Sequence, residues 1–152
     1  MYSDDRAVSI TVGYVLNLAV ASILISGLLV AGGGLIESQT KQVTADELAV
    51  AGQQLAEELS SADRLARAGE SAVPSELSLE SDLPARTASG GYSIEIEHAD
   101  SEGTIELRSA SPEVSVVIPF RSETDVESVA VDGGPVWIEF EYTSEQLVVE
   151  ST

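Results

Sequence analysis

Side chains able to do chemistry are sparse in this chain, and their spacing gives little to build a reactive centre from. The single histidine, His98, falls at the end of an expected strand, which rules out a His-rich metal site and makes a Ser-His-acid triad hard to assemble. We read it as a surface or turn residue. Two carboxylate pairs, Glu95/Glu97 and Glu139/Glu141, could in principle share general acid and base work. Period-two spacing sets each pair on the polar face of a strand among other acids, which a solvated surface explains. Asp100-Ser101-Glu102 before Gly103 could offer oxygens to calcium, but the stretch lacks the length and spaced acids of a calcium loop and reads as a hairpin turn. Cysteine is absent, so disulfides, thiol nucleophiles, thiolate metal sites and acylated-cysteine anchors are all excluded. No glycine-rich phosphate loop or nucleotide fingerprint occurs. The expectation is a protein that is not an enzyme, with no cofactor, no metal and no small-molecule substrate.

Charge narrows the partners. Seven basic against 26 acidic residues give a net charge of −19, and Lys41 is the only lysine. Such a surface repels nucleic-acid phosphates and anionic lipid head groups. A hydrophobic content of 43% with regular β patterning argues against an acidic disordered chain. Adaptation to molar salt fits better, because there the Debye length falls to about 3 Å and like charges are screened.

The elements that must position any function divide the chain in four. Residues 1–7 form a short polar leader. An uncharged run from Ala7 to Ile36 makes residues 8–36 the transmembrane half of a spine helix; at about 1.5 Å per residue it is roughly 45 Å long, where about 20 apolar residues suffice to cross a bilayer. Gly32, Gly33 and Gly34 loosen its outer end, each at a cost of about 1 kcal/mol relative to alanine. Residues 37–70 continue as an amphipathic helix whose stripe is Leu48, Ala51, Leu55, Leu59, Ala62 and Leu65 or Ala66, and Ala68-Gly69 supplies the stop. From 71 to 152 the period becomes two. Alternation at Leu77 and Leu79, and over 92–97, 104–108, 114–118, 129–131, 136–142 and 146–149, predicts six or seven antiparallel strands with one buried face. Turn chemistry separates them at Ser89-Gly90-Gly91, at Asp100 to Gly103 and at Asp132 to Pro135. The fold class is therefore α+β, with Leu48, Leu55, Leu59 and Leu65 of the long amino-terminal helix covering the apolar face of the sheet.

Within the span, Gly13, Asn17 and Ala21 recur at four-residue steps, and Ser22 and Ser26 do so on a neighbouring face. Small residues let helices approach closely, and a membrane-buried asparagine seeks a partner at about 0.6 kcal/mol on average. Asn17 could equally bond its own backbone.

A long helix, apolar first and amphipathic afterwards, followed by an antiparallel sheet, resembles a type IV pilin. The most specific residues are Arg6-Ala7-Val8-Ser9. By resemblance to archaeal prepilins, a leader peptidase would cut between Ala7 and Val8, leaving Val8 as the mature amino terminus. The runs from Asp5 to Leu16, Gly32 to Glu37 and Ser61 to Leu65 are similar to an uncharacterised haloarchaeal family of small pilin-like membrane proteins. The resemblance implies a single-span surface protein, amino terminus inside and β domain outside. Its partners would be the lipid bilayer, a prepilin peptidase and other pilin-like subunits. Val12 stands where most bacterial pilins carry a glutamate, so that registering contact is lacking. Two further readings remain open. A cleaved secretory signal would have an apolar core of roughly 7–15 residues, about half the run seen. An uncleaved anchor carrying a binding or sensing domain would look much the same as the pilin.

Overall fold

The structure is a computed structural model describing the backbone of residues 3–69 and 77–151 and the side chains of 11–68 and 77–151. One α-helix, α1 (Ser3–Gly69, 67 residues), contains neither proline nor a charge cluster in its apolar stretch and continues unbroken through Gly32, Gly33 and Gly34. Their cost is absorbed without a break, and the described helix runs to Gly69, the residues after the expected stop lying outside the described ones. Among the described residues eight strands follow: β1 (Ser78–Ser81), β2 (Tyr92–Ala99), β3 (Glu102–Ala110), β4 (Glu113–Arg121), β5 (Asp125–Val126), β6 (Val129–Asp132), β7 (Val136–Glu141) and β8 (Gln146–Ser151). The chain forms two compact units, Met1–Gln39 and Thr40–Thr152.

In the second unit the α+β expectation holds, with one refinement. The strands form two four-stranded sheets, β1-β7-β8-β5 and β4-β3-β2-β6, rather than one. All pairings are antiparallel except β5 with β8. Alternation reports which side chains point inward but not which strand lies alongside, and three pairings here join strands that are not consecutive: β1 with β7, β2 with β6 and β5 with β8. The two-residue β5 is too short to show a period.

One core serves both sheets and the helix. Leu48, Leu55 and Leu59 are fully buried beside Ile94, Ile96, Ile105 and Leu107 of one sheet and Val136, Ile138, Leu147 and Val149 of the other. Each such leucine contributes roughly 1.5–3 kcal/mol on burial. Leu65 departs from the expectation. It is 48% exposed, and the stripe closes instead through Ala62 and Ala66. At about 100° per residue, Ala62 and Ala66 lie within roughly 20° of Leu55 around the helix, whereas Leu65 lies about 80° away. The close approach of α1 to the second sheet explains a glycine in mid-helix. A Cβ on Gly52 would stand 2.6 Å from Leu107 Cδ1 and 2.7 Å from Ile118 Cγ1, so a larger residue would displace the Leu107 and Ile118 side chains.

Candidate membrane and assembly interface

Residues 11–36 of α1 present apolar side chains in every direction, and none is covered by the chain itself. Leu28 is 73% exposed and Val30 79%, and the most apolar window reaches a mean hydropathy of 2.2 with no residue buried. By length and composition this helix is able to cross a membrane. In water each exposed leucine forgoes roughly 1.5–3 kcal/mol of burial, which an apolar environment around the segment would recover.

On that surface Gly13, Asn17 and Ala21 share one face, each displaced about 40° from the last. The Gly13 position is open, since a Cβ there would meet nothing within 4 Å. The Asn17 amide has no hydrogen-bond partner among the described residues. Ser22 and Ser26 behave differently. Ser22 Oγ donates to Leu18 O at 2.9 Å and Ser26 Oγ donates to Ser22 O at 2.8 Å, so both hydroxyl protons are spent on the preceding turn. Arg6, Ala7, Val8 and Ser9 lie on helical backbone, but their side chains fall outside the described residues. Of the helix positions singled out by sequence, the folding of the chain brings Leu48, Ala51, Leu55, Leu59 and Ala62 together in one core.

In the domain, the candidate chemical residues take structural posts. Glu95, Glu97, Glu139 and Glu141 are exposed on outer strand faces, and Asp100-Ser101 is the two-residue turn joining β2 to β3, with Asp100 at φ 60°. His98 is not the surface residue expected. Its side chain is only 2% exposed, stacked on Phe120 with ring centroids 5.8 Å apart. Nδ1 accepts the Val126 N–H at 3.3 Å, so the ring is the neutral tautomer whose Nε2–H donates to Ser122 O at 3.2 Å. In that tautomer the Asp125 carboxylate, 3.9 Å from Nδ1, makes no ion pair. Both nitrogens are committed to backbone, which leaves neither for proton transfer.

Asp63 is the residue sequence reading passed over. Its side chain is 7% exposed and its Oδ1 accepts the Thr124 N–H at 2.9 Å, the Thr124 hydroxyl at 2.9 Å and the Glu123 N–H at 3.2 Å, while Arg67 lies 3.0 Å from Oδ2. Burial pushes its carboxyl upward, but the Thr124 and Glu123 hydrogen bonds and Arg67 together outweigh it and hold the group below its usual 3.8. Asp63 and His98 thus pin the Ser122–Val126 stretch from two sides. The helical i,i+4 spacing of Asp63 and Arg67 was the one signal available. Among the described residues no group of three or more His, Cys, Asp or Glu side chains is placed to hold a metal ion.

The family model described as "Family of unknown function (DUF7266)" matches residues 3–152, and the chain belongs to that family. No curated protein and no solved structure matches it.

Proposed function

We propose that this member of the DUF7266 family is a pilin-like, single-span surface protein of a halophile, a subunit or minor component of a type IV pilus-like filament. The observation that carries the reading is the all-round exposure of the apolar side chains over 11–36, on a helix that runs on into a folded domain. The placement of Arg6-Ala7-Val8-Ser9 just before that run, and the row Gly13, Asn17, Ala21 within it, support it. In the precursor the segment is anchored in the bilayer, amino terminus inside and β domain outside. A prepilin peptidase cuts after Ala7, and the freed helix then packs against other pilin-like subunits. Asn17, whose side chain has no hydrogen-bond partner among the described residues, supplies an interhelical hydrogen bond.

One observation favours a second reading, an anchor that never polymerises. Ser22 and Ser26 satisfy themselves on their own helix and need no neighbour. Mass spectrometry of the amino terminus of protein recovered from cells, paired with shearing of the cell surface, separates the two. The filament reading expects a chain beginning at Val8 that leaves with sheared filaments, an uncut precursor from Ala7→Glu, and modestly weaker association from Asn17→Leu. A chain retaining residues 1–7 and held wholly in the membrane leaves only the anchored domain.

A further inference from the structure

We propose that strand β4 is a self-complementary edge through which a second copy of this chain docks, joining the two β4-β3-β2-β6 sheets into one continuous sheet. β4 is terminal in its sheet and nine residues long, whereas the other edge strands, β1, β5 and β6, have four, two and four. Natural edges of this length are ordinarily shielded by charge, bulges or cover. In a chain of net charge −19, β4 holds one acid and one base, Glu113 and Arg121, at its two ends. Between them Val114, Val116 and Ile118 are partly buried facing the core, and Val117 on the outer face is 53% exposed.

The sequence of β4 selects one antiparallel register with itself. Centred on Val117, it sets Glu113 opposite Arg121 twice by symmetry, Val114 opposite Phe120, Val116 opposite Ile118 and Val117 opposite Val117. A slip of one residue would set inward-facing side chains against outward-facing ones. A slip of two separates Glu113 from Arg121. Pro119, opposite Ser115, forfeits at most one ladder bond per copy on this edge. Glu113 has no ion-pair partner among the described residues, so the pairing supplies one. The two-fold axis stands perpendicular to the sheet. It therefore reverses residues 40–69 of α1 as well; the contact lies wholly on the second compact unit and goes beyond the filament reading, which rests on residues 11–36.

Because the chain has no cysteine, single cysteine variants report the register directly. The full chain in mild detergent, at molar salt to screen the net charge, is oxidised as Val117→Cys and as Ser115→Cys. Across the axis Val117 is within disulfide reach of its own copy, whereas Ser115 is offset by four residues, roughly 13 Å. The expected result is a disulfide-linked dimer from Val117→Cys and at least about tenfold less from Ser115→Cys. Compared at 0.1 M salt, where the pair is not screened, Glu113→Arg should weaken the dimer, and adding Arg121→Glu together with Glu102→Arg, which keeps the Glu102–Arg121 pair of each copy in reversed form, should restore it. Equal cross-linking of both cysteine variants, a monomeric Val117→Cys, or no restoration in the charge-swapped pair would overturn the proposal. So would a dimer seen by light scattering that fails to form the Val117→Cys disulfide, since its contact would lie elsewhere, for instance along residues 11–36.

Discussion

Asp63 shows how one ionised side chain can matter in a domain otherwise held by apolar packing. Its carboxylate closes three hydrogen bonds to the Glu123-Thr124 corner while Arg67 balances its charge. Because its folded-state pKa lies below the unfolded one, the carboxylate contributes stability that is fully present above about pH 4 and is lost as pH falls through the folded value. Asp63→Asn keeps the shape but removes the charge. Thermal midpoints measured across pH 2 to 7 should therefore show the variant below wild type at neutral pH, with the gap narrowing in acid. Asp63→Ala should cost about 1–3 kcal/mol, because two backbone N–H groups lose their acceptor. A constant gap between wild type and Asp63→Asn at every pH would show that the charge contributes nothing.

At the scale of elements, the domain half of α1 is an amphipathic wedge whose effect depends on angle. Leu55 sits at the centre of its buried stripe, fully enclosed, while Leu65 is 48% exposed. Leu55→Asp should cost at least about 4 kcal/mol, combining a lost leucine with an unpaired buried carboxylate. Set against total stabilities of about 5–15 kcal/mol, that is close to unfolding. Leu65→Asp, the same substitution ten residues on, should stay within about 0.5 kcal/mol. Thermal unfolding of both variants, as full chains in mild detergent, checks the packing. A Leu55→Asp protein as stable as wild type would refute the role given to α1.

For the whole molecule, 26 acids against seven bases make self-repulsion the dominant long-range force. Ion pairs among the described residues include Asp63 and Glu123 with Arg67, Glu106 with Arg108 and Glu102 with Arg121, and seven bases cannot balance 26 acids. Most of the remaining carboxylates face solvent, where only salt can screen them. The unfolding midpoint should accordingly be higher in molar salt, with a Debye length of about 3 Å, than at 0.1 M, where it is about 10 Å. Equal midpoints at the two concentrations would remove the argument for adaptation to high salt.

Periodicity and composition by themselves determined a great deal of this protein. The 3.6-residue stripe marked Leu48, Leu55 and Leu59, period two marked seven of the eight strands, and Asp100-Ser101 marked its own turn. These are local consequences of how a helix or strand directs its side chains, so a single sequence carries them. The length and uncharged character of residues 11–36 made a helix able to cross a membrane legible in the same way. What only tertiary structure decided depends on partners distant in sequence. The division into two sheets rests on β1 meeting β7 and β2 meeting β6. The burial of His98 and Asp63 rests on the Ser122–Val126 stretch, roughly 25 to 60 residues further along the chain, offering backbone groups to both. The choice of Ala66 over Leu65 rests on where the sheets place their faces around α1. A polar or ambiguous side chain shows its post only when the backbone it serves has arrived beside it.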